Sequence, residues 1–112
     1  MNIFNIVSNL DRKIKLTEVQ WKHIKSRHKE LVGQTNKMIE TLNDPDTVFY
    51  SNKDDVHHYC KLFQKTPVSK KYLLVIVKHI NGEGFIITTF FVSKLRRKDK
   101  EIIYGKENIN SV

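Results

Sequence analysis

The chain has one cysteine, two prolines, four glycines and no alanine among its 112 residues. A single cysteine, Cys60, excludes an internal disulfide and is typical of a reducing compartment. No apolar run reaches the ~18 residues that a membrane-crossing helix needs. In the N-terminal stretch the charges follow a short apolar segment, which is not the order found in a signal peptide. We therefore expect a cytoplasmic protein that has no membrane partner.

Motifs for metals and nucleotides are also lacking. The sequence contains no CxxC, no HExxH and no glycine-rich phosphate loop. On a strand, His57 and His58 would point to opposite faces, so only His58 and Cys60 could share an ion, and two ligands are too few for zinc. A nucleophilic cysteine needs an exposed, electropositive setting, whereas the position of Cys60 predicts burial. We expect neither a metal nor a cofactor.

Positive charge is abundant, with 20 basic and 12 acidic residues, a net charge of +8 and a pI near 9.6. Such an excess favours partners that carry phosphates. Arg27 is the only arginine between Lys13 and Leu95. Its planar guanidinium suits phosphate in a way that lysine does not, although an ordinary surface arginine is the equal alternative.

A helix over residues 17–33 is the central predicted element. Thr17 and Gln20 form a capping box, and Gly33 lies where a left-handed C-cap is expected. At about 100° per residue, His28 falls inside the apolar stripe that should face the rest of the protein. That stripe consists of Trp21, Ile24, Leu31 and Val32. His28 is therefore either catalytic or a core histidine, whereas His23, roughly 140° away, should be exposed.

The remaining pattern predicts an α+β domain spanning residues 1–112. Residues 1–12 form an edge strand or a loose N-terminus, 14–104 form the core, and 105–112 form a tail. A second helix starts at Thr35, and the Asn-Asp-Pro-Asp turn at 43–46 ends it. Strands follow at 47–50, 56–63, 72–80, 85–92 and 102–104. We expect two N-terminal helices packed on one face of a four- to five-stranded antiparallel sheet, with strands 72–80 and 85–92 at its centre.

The hairpin between strands 72–80 and 85–92 predicts which side chains share a face. If odd positions of one strand pair with even positions of the other, Lys78 and Thr89 share one face, and His79 and Thr88 share the opposite face. A lysine in an apolar central strand either binds a ligand or extends its ammonium group to water from the end of the hairpin.

Strand 56–63 is expected to have a wet face and a core face. The wet face carries His57, Tyr59, Lys61 and Phe63, a basic and aromatic set that suits a phosphate backbone and stacked bases. An ordinary solvated face is the alternative. Val56, His58, Cys60 and Leu62 are predicted to face the core.

Several segments together resemble the phage-associated nuclease families of the barnase–EndoU–colicin–RelE-like (BECR) fold. They are LTEVQWKHIKSRH, the turn NDPD, HHYCKLF, YLLVIVKHI and GFIITTFF, and they cover roughly residues 14–104. Arg27 and His28 match the Arg-His pair of the family's helix, although Lys29 replaces the proline that commonly follows. Lys61 matches a basic position in the second strand. Thr88 matches the hydroxyl of the I-x-T strand, with Thr89 as the alternative.

The resemblance implies a metal-independent endoribonuclease, a toxin-like hydrolase that cleaves RNA through attack of the 2′-hydroxyl. His28 would be the acid or base, Arg27 and Lys61 would hold the phosphate, and Thr88 would position it. Lys78, Tyr59, Thr89 and His23 are expected to contact the RNA. A toxin of this kind would have an acidic antitoxin or immunity protein as partner. The alternatives are a non-catalytic basic nucleic-acid-binding module and a protein-interaction domain in which His28 is structural.

Overall fold

The computed structural model describes residues 1–106, which form one seven-stranded mixed sheet with two short helices. The tail predicted at 105–112 lies outside the described residues from position 107 onward. The elements are β1 (Asn2–Val7), β2 (Lys13–Thr17), α1 (Glu18–Arg27), a 3₁₀ turn (Lys29–Leu31), α2 (Thr35–Asn43), β3 (Thr47–Ser51), β4 (Val56–Leu62), β5 (Tyr72–Ile80), β6 (Glu83–Val92) and β7 (Lys100–Gly105). Across the sheet the order is β1-β2-β6-β5-β4-β3-β7.

The predicted fold class is wrong, because the sheet has seven strands and is not purely antiparallel. β1 and β2 pair antiparallel with each other, and β2 joins the sheet by parallel pairing with β6 at Ile14–Gly84 and Lys15–Phe85. Gly84 allows this approach, since a Cβ there would lie 2.9 Å from the Lys13 carbonyl oxygen. At the other edge, β7 pairs with β3. The N-terminal segment thus belongs to the sheet, which extends beyond the predicted 14–104 core.

β5 and β6 occupy the centre of the sheet, as predicted. The turn between them is Asn81-Gly82, and both residues have positive φ, 53° and 83°. Two such residues give a turn whose twist matches that of the flanking strands. Leu73, Val75 and Val77 of β5 alternate into the main core. Their face of the sheet, which we call the helix side, packs against both helices.

Helix α1 is shorter than predicted. Thr17 caps it by accepting a hydrogen bond from the Gln20 amide, as expected, but the helix ends at Arg27. His28 is the C-cap, with φ −131° and ψ 80°, and the 3₁₀ turn follows. The side chain of Gln20 also donates to the carbonyl of Ile87 in β6. Because β2 pairs with only the first part of β6, α1 covers the edge that β6 leaves open.

Helix α2 packs on β4 and β5 through Met38 and Leu42, both fully buried. The turn after it is bonded to β4 and to the end of β7. The Asp46 amide donates to the Cys60 carbonyl, a carboxylate oxygen of Asp46 accepts from the Leu62 amide at 2.7 Å, and the Asp46 carbonyl accepts from the Lys106 amide. The Asn-Asp-Pro-Asp motif therefore ties β4 and the end of β7 to the end of α2. Neither helix in residues 1–106 is long and apolar enough to cross a membrane.

Candidate functional site

A groove lies on the face of the sheet opposite the helix side. The segment 93–99 connects β6 to β7, which are four strand positions apart. Crossing four spacings of about 4.8 Å takes roughly 19 Å, and an extended chain of seven residues reaches at most roughly 25 Å, so little slack remains. The segment therefore runs across this face almost directly, and it encloses a cavity of about 530 Å³ between itself and the strands. We call this cavity the basic groove.

The basic groove has a cationic rim and an apolar floor. Its floor is formed by Phe49, His58, Cys60, Leu74, Phe90 and Val92, its rim by Lys70, Ser93, Lys94, Arg96 and Lys100, and Leu95 of the segment 93–99 completes the lining. Four side chains are cationic and none of the twelve is a carboxylate. Within residues 1–106, none of these four cations forms an ion pair with an acidic side chain. The groove thus offers unneutralised positive charge beside an apolar surface.

His58 is the titratable group on the floor. It lies in a row across three strands, because Phe49 pairs with His58 and His58 with Ile76. Burial lowers the pKa of His58, and the nearby charge of Lys100 lowers it further, while Asp54 acts in the opposite direction. At neutral pH its imidazole is therefore uncharged, with one nitrogen that donates and one that accepts. The alternation along β4 predicted that His58 faces the core, and the lysines and two arginines clustered at 94–100 were the signal for a second polar face.

Cys60 is buried on the same floor, as predicted. Burial raises its pKa to about 12. Its thiol donates to the carbonyl of His58, with the sulfur 3.5 Å from the oxygen. A thiol in this state is not a nucleophile at neutral pH.

His28 lies at the β6 edge of this face and is half-buried. Its ring stacks on that of Phe90, with ring centroids 5.5 Å apart and an interplanar angle of 25°. Nδ1 of His28 is 3.8 Å from a carboxylate oxygen of Glu30. Arg27 precedes it and is exposed. The predicted catalytic histidine therefore adjoins the groove through one of the groove's own floor residues.

A β-bulge changes the predicted faces of the central hairpin. Lys78 pairs with Phe85 and Val77 with Ile86, but beyond them Ile76 pairs with Thr88, so Ile87 is an extra residue. Every later β6 side chain moves to the opposite face. Thr88 consequently shares the groove face with Lys78 and not with His79, which contradicts the predicted parity.

Thr89, the alternative to Thr88, does not contact a substrate surface. It is fully buried on the helix side, and its hydroxyl donates to the carbonyl of Leu74. Thr88 is half-buried and lies two residues from Phe90 on the same face. The structure therefore separates the two threonines and brings Thr88 towards His28.

The face of β4 that was predicted to be wet is buried. Tyr59 is fully buried on the helix side, where its hydroxyl lies 2.8 Å from that of Ser8. Lys61 is 8% exposed, and its ammonium donates to the carbonyl oxygen of Asp44 at 2.7 Å and to its carboxylate at 3.2 Å. Neither residue adjoins the basic groove. Lys61 is a structural residue, and Tyr59 does not stack on a base.

The remaining two predicted contact residues lie away from the groove. His23 is exposed on α1, as predicted, and its carbonyl accepts from the Ser26 hydroxyl. Lys78 lies near the turn between β3 and β4, where its ammonium is 3.4 Å from the Asp54 carbonyl and 3.8 Å from the Asp55 carboxylate. Its charge is thus shared with the protein's own oxygens.

A second group of titratable rings lies on the helix side, beyond the helices. The His57 and His79 rings meet edge-on, with centroids 5.0 Å apart, and Tyr50 packs on His57. Burial lowers the pKa of both histidines, that of His79 to about 4. In the part of the chain that the structure describes, both ring nitrogens of His79 are buried without a hydrogen-bond partner.

No group of three or more metal-ligating side chains occurs within residues 1–106. Comparisons with protein-family models, with curated proteins and with solved structures find no match for this chain.

Proposed function

We propose that this protein is a metal-independent endoribonuclease that binds single-stranded RNA in the basic groove. One observation carries the proposal: four cations line an apolar cavity that has no carboxylate, and a histidine adjoins it. Phosphates supply the matching negative charge, and bases supply the matching apolar faces. The single free cysteine fits a cytoplasmic setting, where RNA is available.

RNA binding would depend strongly on salt. Lys70, Lys94, Arg96 and Lys100 can each displace a counterion from the RNA backbone. For about four phosphates on a single strand, the affinity is expected to fall with a log–log slope near −3. The basic surplus of the whole chain would add a weaker, non-specific attraction.

Cleavage is assigned to the edge of the groove at β6. His28 can take a proton from a 2′-hydroxyl or give one to the leaving 5′-oxygen, and Phe90 holds its ring. Arg27 is exposed beside it and can pair with a phosphate oxygen. Thr88 can donate a hydrogen bond to the same group. Lys61 has no part in this proposal, because Asp44 holds its ammonium group.

An inhibitor partner would suit such an enzyme. A protein that places carboxylates over Lys94, Arg96 and Lys100 would neutralise the rim and exclude RNA at once. We therefore keep an acidic antitoxin or immunity protein as part of the proposal.

A non-catalytic RNA-binding module is the second candidate, and one observation favours it. His58 and Phe90 lie on strands two positions apart, and His28 lies beyond Phe90. That separation exceeds roughly 10 Å, so the two histidines cannot act together on one phosphate. Cleavage would then rely on His28 with a second proton donor from water or from the RNA.

Cleavage of mixed RNA in excess EDTA tests the proposal. The wild-type protein should produce fragments that end in a cyclic phosphate, and His28→Ala should retain binding but lose cleavage. His23→Ala, on the exposed side of the same helix, is the matched control and should behave as the wild type. Intact RNA with salt-sensitive binding would support the module, and equal cleavage by both variants would remove His28 from the mechanism.

A further inference from the structure

We infer that the floor of the basic groove binds one unpaired nucleobase and that His58 reads the polar edge of that base. This inference rests on the proposed RNA binding and adds a subsite to it. It also gives His58 a role distinct from that of His28, since the two adjoin different ends of the Phe90–Leu74–Cys60 row.

The size and the lining of the groove fit a base. A volume of about 530 Å³ falls within the range of small-molecule sites, roughly 300–1,000 Å³. Phe90, Leu74 and Val92 lie on the adjacent strands β5 and β6. Together they form an apolar surface on which the flat face of a base can pack. Contacts of this type do not distinguish one base from another, because every base has a π-face.

The polar groups of the floor give the subsite its means of discrimination. Among the lining residues, His58, Cys60 and Ser93 are polar without formal charge. The Cys60 thiol is directed to the carbonyl of His58, and Ser93 is exposed at the start of the crossing segment. The neutral imidazole of His58 is therefore the group left to pair with a base edge, by donating one hydrogen bond or accepting one. Its lowered pKa keeps it in this form at neutral pH.

The segment 93–99 restricts what can enter. It crosses the face, leaves Lys94 and Arg96 at the rim and places Leu95 in the lining of the cavity opposite the strands. In an RNA duplex the bases are stacked and their edges are already paired, so no base is free to enter the cavity and contact His58. A single strand can place a base on the floor and its two flanking phosphates on the rim. The substrate class is therefore RNA with unpaired bases, such as loops, bulges and ends.

Binding of pentanucleotides that cannot be cleaved tests the subsite directly. The probes are 2′-deoxy chains in which only the central position carries a base, together with a fully abasic chain of equal charge, measured by fluorescence anisotropy. The wild-type protein should bind at least one base-containing chain about tenfold more tightly than the abasic chain, and its affinities for the four bases should differ.

Ring-preserving variants then locate the discrimination. His58→Phe removes the nitrogens and keeps an aromatic ring, so it should retain the advantage over the abasic chain but bind all four bases within about twofold. His57→Phe, one residue away on the helix side, is the matched control and should leave the preferences unchanged. Circular dichroism checks that both variants are folded.

Two results would overturn the inference, and they differ from failure of the proposed function. Equal affinity of the wild-type protein for the abasic and base-containing chains would remove the subsite but leave backbone binding in place. Unchanged preferences in His58→Phe would remove His58 from it. If Lys94→Glu combined with Arg96→Glu left all affinities unaltered, the groove itself would not be the RNA site, and the proposed function would fail as well.

Discussion

The imidazole ring of His28 stacks on the phenyl ring of Phe90, so a residue at the end of α1 is held against the groove face of the sheet. α1 covers the edge of β6 that β2 leaves unpaired, and the Gln20 side chain donates to the carbonyl of Ile87 there. The same bulge places Phe90 on the groove face. A single extra residue in β6 thereby brings the histidine and the groove together.

Phe90→Leu should lower the rate of RNA cleavage by about tenfold to a hundredfold, because a misplaced general acid or base loses much of its effect. RNA affinity should fall much less, since the rim cations remain. Single-turnover kinetics at saturating enzyme separate the two effects. The control is Phe85→Leu, a change of the same size in the part of β6 that lies before the bulge.

The double variant Lys94→Glu and Arg96→Glu should weaken RNA binding and reduce the magnitude of the salt slope by about 1 to 2, because two phosphate contacts are lost. Anisotropy titrations between low and moderate salt give both quantities. Lys53→Glu with Lys98→Glu changes the net charge equally at exposed positions outside the groove lining. Equal weakening by the two double variants would mean that total charge, and not the groove, determines binding.

Lys61→Ala should destabilise the protein by about 1–3 kcal/mol, because it removes the donors that satisfy Asp44 and leaves a gap next to α2. Urea unfolding measures the change. RNA cleavage by the remaining folded protein should be unchanged. Lys106 also pairs with the Asp44 carboxylate, but its ammonium group is more exposed than that of Lys61. Lys106→Ala should therefore destabilise the protein less than Lys61→Ala. A Lys61 variant that is stable but inactive would restore the phosphate role predicted from the sequence.

Acidification should unfold the protein partly through His57 and His79. Their pKa values are lowered in the folded state, that of His79 to about 4, so the unfolded chain binds more protons. The stabilisation is present above the ordinary histidine pKa of about 6.5 and is lost as the pH falls towards 4. Arg12 opposes protonation of both rings, and Asp55 favours it. His79→Phe should flatten the dependence of unfolding free energy on pH in this window, whereas His23→Phe should not alter it.

Gly84→Ala should destabilise the junction of β2 and β6 by about 1–3 kcal/mol. The added methyl group would lie 2.9 Å from the backbone oxygen of Lys13 and 3.0 Å from the Ile14 side chain, and backbone cannot move aside easily. Hydrogen exchange should report faster opening of β1 and β2 than of β4. Gly82→Ala, at the exposed turn with φ 83°, tests backbone strain without such a clash.

Local signals predicted the elements well, and long-range contacts accounted for the errors. The N-cap at Thr17 and the turn at Asn81-Gly82 are set by neighbouring residues, so they were readable, although the Gln20 side chain contacts Ile87 and does not complete the predicted capping box. The pairing of β2 with β6 involves two residue pairs that depend on the close approach of Gly84, for which no periodic pattern exists. Strand number and direction were missed for that reason.

The candidate site was predicted in part. His28 and Thr88 do lie on or beside one face, but the wet face predicted for β4 is wrong because both sides of the strand are covered. The helices bury Tyr59, and the segment 93–99 covers Cys60, so apolar residues occur on each side. The bulge at Ile87 could not be predicted, because the sequence there is Ile86-Ile87-Thr88-Thr89. Each residue type occurs twice in succession, so the alternation of the strand gives no sign of an extra residue. His58 was missed because its exposure depends on where the crossing segment passes.

The crossing segment also has a consequence for synthesis. A nascent chain that ends at Val92 already contains both helices and the central strands, but it lacks Lys94, Arg96 and Lys100. The groove closes only after β7 has been translated and has paired with β3. If the protein binds RNA as proposed, it would acquire that capacity only after β7 has left the ribosome.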